Sequence, residues 1–402
     1  MSLAEWVVTG GPILGALGVT TAAISIRNAR KAGHEQKFRD LHESIRREAP
    51  DLRQRVLDDC PGHWRLPGTS LLAQPGWVPE APYDLDEIEL AWADRPGPAA
   101  PSKALPAAKL GRQGTYSSAL REVAGLRDLF DGTVYRLLDA RLDAGGKRMT
   151  FTESSYFEYL DTSEVLAFEA VSRKRSRRRA DGRRTYRRRL ADPFSFANRV
   201  VPLGINTLTL RVEGDRAGFF LLDRDARKVV NNSRMLSALP SGEFTPSDRT
   251  REALANDRDL WKNIMREYAE EFLGTEEAFG QGGRWIDYEN ESPYAELNQA
   301  KRSGKLKIKV LGFGIDPLPW KPELLTVCLI DADVFDSVFA AMVERNDEGL
   351  LLTGRNRQGL PFDADTVRLY GEDEGTSPDA AACLELAWRF RAQLGLAGRG
   401  ED

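Results

Sequence analysis

Histidine is nearly missing from this 402-residue chain, and the three present, His34, His42 and His63, all fall in the first 63 residues. Chemistry that needs an imidazole, including a serine nucleophile with a histidine base, is therefore excluded from the larger C-terminal part. Cysteine is equally scarce: Cys60, Cys328 and Cys383 are odd in number, far apart and form no CxxC pair. That spacing argues against a disulfide scaffold and against a structural zinc site. Neither sign of charge prevails, with 57 Lys and Arg against 61 Asp and Glu, a formal balance of −4. No GxxxxGK[ST] phosphate loop occurs, Gly312-Phe313-Gly314 lacks the third glycine of a dinucleotide loop, and no internal repeat is found. What is present is ordinary for a chain with a real core, 41% hydrophobic and 29% charged residues, which excludes a wholly disordered, collagen-like or polytopic membrane protein. At roughly 150 residues per domain the length implies two or three domains.

Trp6 to Ile26 is a run of 21 residues without a charge. As a helix it would extend about 31 Å, enough to cross a bilayer's hydrocarbon core. Glu5 precedes it and Arg27, Arg30 and Lys31 follow, so the run reads as a single transmembrane anchor with the C-terminal part cytoplasmic. The glycines and Pro12 within it also fit a soluble hydrophobic hairpin or an oligomerisation helix, with a cytoplasmic protein as the alternative.

The chain divides into a candidate anchor at 1–30, juxtamembrane helices and a Pro/Ala-rich linker at 31–112, a helical or mixed segment at 113–195 and an α/β domain at 196–400. Lys37 to Leu57 has Phe38, Leu41 and Ile45 at helical spacing and is interrupted by Pro50. Asp94 to Arg112 is the linker candidate, Thr115 to Ala140 has a helical pattern, and Thr150 to Ala170 reads as helix or mixed structure. In the last segment Ile205 to Val212 and Gly218 to Asp223 predict a hairpin turning at Gly214-Asp215. Leu306 to Phe313 and Leu324 to Ile330 predict further strands, and Asp257 to Leu273, Asp333 to Glu344 and Asp379 to Leu394 predict helices. Strands and helices so interspersed indicate an α/β layered domain.

Arg173 to Arg189 holds eleven Lys or Arg and one acid, Asp181. Such density suits a solvated loop. It also suits attraction to anionic lipid head groups or, with less support because Tyr186 is the lone aromatic within it, to nucleic acid. Trp285, Tyr288 and Trp320 offer rings for a base, although core packing explains them as well, and Asp331 and Asp333 fit a helix cap better than a ligand set.

The chemistry concentrates in Arg266-Glu267-Tyr268-Ala269-Glu270-Glu271. Glu267, Glu270 and Glu271 stand at i, i+3 and i+4, so a helix gathers their carboxylates on one face. Mutual repulsion among three acids is offset naturally by a hard divalent cation, and Mg²⁺ bridges readily to phosphates. Arg266, one turn before Glu270, can orient that carboxylate. Decoration of a solvent-facing helix with Arg–Glu pairs is the bland alternative. A turn at Leu239-Pro240-Ser241-Gly242 precedes the helix and Gly274 is placed to end it.

This pattern, Arg-Glu-hydrophobic-any-Glu-Glu, resembles the signature helix of the Nudix superfamily. Gly242 is similar to the glycine that opens the family's motif, and Arg224 to a basic residue near its second strand. The resemblance covers residues 196–400 and implies a Nudix-like α/β/α sandwich around a mixed sheet. It further implies Glu267, Glu270 and Glu271 on Mg²⁺ or Mn²⁺ as metal and catalytic residues with Arg266, and Arg224 and Gly242 beside the substrate. The activity so implied is magnesium-dependent hydrolysis of a nucleotide or nucleotide-linked pyrophosphate at the cytoplasmic membrane face. Departures from the pattern are specific. Twenty-three residues separate Gly242 from Arg266, ten more than in the family, the intervening glutamate is replaced in register by Asp248, and Gly274 falls one residue late. These features favour an alternative: a non-catalytic nucleotide-sensing effector of bacterial signalling or phage defence.

Overall fold

β-branched alternation in INTLTLRV produces the central strand of the molecule, β5 (Gly204–Glu213), buried along nearly its whole length. The computed structural model describes residues 32–94, 114–174, 185–224, 235–276 and 285–396, apart from 46, 128 and 144. Thirteen strands are present among them: β1 (Tyr83–Asp84), β2 (Glu89–Trp92), β3 (Thr133–Asp143), β4 (Gly146–Ser155), β5, β6 (Arg216–Phe219), β7 (Leu221–Arg224), β8 (Met235–Ala238), β9 (Ser241–Glu243), β10 (Leu306–Asp316), β11 (Lys321–Asp331), β12 (Gly349–Leu352) and β13 (Leu360–Pro361). Seven form a mixed sheet in the order β1-β10-β11-β5-β6-β13, with β9 paired to β5. β11 and β5 run parallel, and the other pairs are antiparallel. The path ends at β1 and β13, each two residues long. Two three-stranded sheets, β12-β7-β8 and β2-β4-β3, complete the β structure.

The helices are α1 (32–45), α2 (Ala49–Asp58), α3 (Tyr116–Glu122), α4 (Tyr156–Lys174, with a π-helical turn at Leu160–Glu164), α5 (Tyr186–Leu190), α6 (Arg251–Asn256), α7 (Leu260–Leu273), α8 (Tyr294–Arg302), α9 (Ala332–Val338), α10 (Ala364–Gly371) and α11 (Pro378–Arg389). Alternation along β5 decides which face each covers. Thr209 lies on one face, its Oγ1 2.7 Å from the Tyr268 hydroxyl of α7. Arg211, on the same face, is bidentate to Asp336 of α9. Asn206 lies on the opposite face, in a row with Leu325 and Gly312. There Leu386 of α11 fills the space that a Gly312 side chain would occupy. α7 and α11 therefore cover opposite faces of the main sheet.

One apolar core runs from Phe38 to Leu396 and takes in residues from all three sheets. α7 contributes Leu260, Trp261, Ile264, Met265, Tyr268 and Phe272, an i, i+4 stripe whose burial is worth roughly 1.5–3 kcal/mol per large apolar side chain. Residues 133–143 are a strand rather than the continuation of a helix: β3 pairs with β4 along its length. Leu137 N–H reaches Val201 O, and Tyr135 N–H reaches Phe244 O, which ties the small sheet to the main one.

The expected transmembrane helix is corrected. Among the described residues no helix is long and apolar enough to cross a membrane. The nearest helix, α1, is amphipathic, with Phe38 and Leu41 buried and Lys37 and Glu43 at the surface. Trp6 to Ile26 itself lies outside the described residues, so the single-pass topology has no support.

Candidate functional site

α7 begins where the Asp259 carboxylate accepts the Lys262 N–H and ends at Gly274, whose φ of 66° takes the left-handed conformation that closes a helix. Between these caps the three glutamates diverge. Glu267 lies against β9, where a Cβ on Gly242 would sit 2.2 Å from its carboxylate. Glu270 is 3.7 Å from Arg266 Nε, an ion pair too long for a hydrogen bond. Glu271, 2% exposed, accepts the Ser241 N–H at 3.0 Å and lies 3.7 Å from Arg224 Nη2.

The expected metal trio is therefore corrected: no group of three or more His, Cys, Asp or Glu among the described residues is arranged to hold a metal ion. Two arginines divide the carboxylates instead. Arg266 is buried and donates to Thr245 O and Asn263 Oδ1. Burial opposes its charge, and Tyr288, Glu270, Glu267 and Asp257 outweigh that and hold its pKa above the ordinary value. Arg224 bonds Ser237 Oγ and Ser241 Oγ, and pairs with Glu348 at 2.6 Å. Burial pushes the Glu271 carboxyl well above its usual range, only partly relieved by Arg224. This geometry lends no support to the magnesium, hydrolase or Nudix expectations drawn from the motif.

A second group of charges, not anticipated from the sequence, adjoins the first through β9. Glu243, Gly204 and Glu323 form one cross-strand row on β9, β5 and β11. Gly204 has no side chain, and the Glu323 carboxylate occupies that space: a Cβ there would be 1.8 Å from Oε2. Asn206 Nδ2 donates to the same oxygen at 2.8 Å. Lys321, two residues before Glu323, reaches Glu243 at 3.2 Å and Glu323 at 3.7 Å. Burial pushes the Glu323 carboxyl up to about 8 despite Lys321, with Asp379 adding to the shift. Beside this row Tyr159 donates to Glu164, whose carboxyl is also raised by burial. Arg53 is bidentate to Asp316.

Ser241, Gly242 and Glu243 thus meet Glu271, Glu267 and Lys321 in turn, Gly242 on the α7 side of the sheet and Glu243 on the α11 side, so the two groups adjoin along β9 from opposite faces. Their charged side chains keep contact with solvent: 26% of the Arg224 side chain is exposed, 14% of Glu267, 27% of Glu243 and 19% of Lys321. The available signal for the second group was the pair of charges in Lys321-Pro322-Glu323 at the head of an otherwise apolar strand.

The remaining expected residues are placed elsewhere. Tyr288 is buried and donates to Asp257, Trp320 is buried beside two arginines, and Trp285 is exposed. Asp331 stands at the start of α9 without a side-chain capping bond, and Asp333 pairs with Lys305. Of the basic run, residues 175–184 lie outside the described residues. Its far end is not a solvated loop: Tyr186 is buried and Arg187 donates to Pro317 O and Leu318 O. Set against known proteins, the chain matches no family model and no curated sequence.

Proposed function

We propose that this chain is a non-catalytic binding module for a nucleotide or nucleotide-derived ligand held by the charged groups along β9. The supporting observation is the strand itself: three consecutive residues bring the α7 carboxylates and the Lys321–Glu323 row to the two faces of one short strand, with partly exposed charges on each. Acids outnumber bases there. Glu164, Glu243, Glu267, Glu271, Asp316, Glu323, Glu348 and Asp379 interact with Arg53, Arg224 and Lys321. Such a set of groups suits the donor-rich part of a nucleotide, ribose hydroxyls and the amino edge of a base, while the partly exposed Arg224 and Lys321 would exchange Glu348 and Glu243 for phosphate. Binding rather than turnover is favoured because Arg266 and Arg224 already engage the α7 carboxylates.

Titration calorimetry against nucleoside mono-, di- and triphosphates and a dinucleotide, followed by product analysis, tests this reading. One member of the panel binds and is recovered intact. Lys321→Met and Arg224→Met each weaken that binding about tenfold or more, the loss of one charge-assisted hydrogen bond. Conversion of the ligand to products, or no binding across the panel, overturns the proposal.

A further inference from the structure

The turn between β10 and β11, Pro317-Leu318-Pro319-Trp320, carries Asp316 at one end and Lys321 at the other, so its position sets where Lys321 stands beside Glu243 and Glu323. A buried turn must have its carbonyls satisfied, and no ladder does so here. Each of the four is taken by a side chain from another part of the chain. Arg187 donates to Pro317 O at 2.8 Å and to Leu318 O at 2.6 Å, Ser163 to Pro319 O at 2.8 Å, and Arg199 to Trp320 O at 3.2 Å. The two guanidiniums also approach the Trp320 ring, at 4.8 Å for Arg187 and 5.5 Å for Arg199. Trp320 has a φ of 56°, a conformation a bulky residue adopts only when its surroundings impose it. Both arginines direct their donors to main-chain carbonyls rather than carboxylates. Burial lowers the pKa of Arg187 to about 10 and that of Arg199 to about 9, an arrangement unfavourable for the arginines themselves.

We propose that Arg187, assisted by Arg199 and Ser163, is a positioning residue for Lys321, so that the end of the basic run braces the proposed binding site. The inference rests on the binding reading for its functional meaning, but its geometry can be tested without a ligand. The reporter is the Glu323 carboxyl, which faces Lys321 on its own strand, Asn206 on β5 and Glu243 on β9, with Asp379 of α11, Asp316 of β10 and Glu164 of α4 nearby.

Carbon-13 titration of Glu323 in the full chain reads the position of Lys321. In Lys321→Met the Glu323 midpoint moves upward, because the cation that favours the carboxylate is gone. In Arg187→Ala it moves the same way, and in Arg187→Lys by less. Phe335→Leu, a core change on the opposite face chosen to lower the melting temperature comparably, leaves it in place. A wild-type midpoint in folded Arg187→Ala, or an equal shift in Phe335→Leu, overturns the brace. If Arg187→Ala does not fold, Ser163→Ala replaces it with the same two outcomes. Calorimetry with the nucleotide bound by the wild type then shows at least a threefold loss of affinity in Arg187→Ala. A moved midpoint with no nucleotide bound by any form supports the brace and removes the binding reading alone.

Discussion

Glu323 is a carboxyl whose surroundings oppose its charge. Burial raises its pKa from 4.5 to about 8, Lys321 works against that, and Asp379 adds to it. For an acid raised on folding, the folded chain binds the proton more tightly than the unfolded one. Stability referable to this group is therefore complete below the unfolded value of 4.5 and is lost progressively as pH rises towards about 8. Glu323→Gln removes that dependence. Urea titrations at a series of pH values will show the variant gaining on the wild type between pH 5 and 8 and holding a constant advantage above that range. A difference independent of pH would contradict the assigned environment.

α7 shows how local and tertiary signals combine in one element. Its apolar stripe and its terminal glycine are explicit in the sequence, and the helix ends where they place it; it starts at Leu260, capped by Asp259, rather than at the expected Asp257. Gly274 adopts a positive φ and lies 3.2 Å, measured from an added Cβ, from Val343. Gly274→Ala should therefore destabilise by about 1 kcal/mol, measured by chemical denaturation, with little change in overall fold. The central strands were legible for the same reason, since alternation and β-branching specify a half-buried or buried strand without knowledge of its partners. β3 was not. VYRLLDARLD is rich in residues that favour helices, and it becomes a strand because pairing with β4 and burial of Tyr135 and Leu137 outweigh that preference. The candidate site was half legible. Three glutamates within five positions of one helix can be read as neighbours, and Arg266 beside Glu270 with them, but not Arg224 beside Glu271. Glu243, Gly204 and Glu323 meet through cross-strand register, which distance along the chain conceals.

At the scale of the whole molecule, elements far apart in sequence share a single interior. Phe38 of α1 packs on Phe168 of α4 at 4.9 Å between ring centroids, and Arg53 of α2 clasps Asp316 of β10. Trp77 packs on Phe313. Residues 32–60 therefore belong to the same cooperative structure as the main sheet, and calorimetry should record one unfolding transition. Phe38→Ala should lower its stability by about 3–5 kcal/mol, the usual cost of emptying a buried aromatic site. Two resolved transitions, with the variant affecting only one, would show that α1 folds separately.

The shortness of the strands at either end of the main sheet has its own consequence. β1 and β13 each supply two residues to the ladder, and Pro361 in β13 has no N–H to offer. An incoming chain finds too few aligned donors and acceptors there to template growth. Concentrated solutions of the native protein should accordingly resist ordered fibre formation through these two margins.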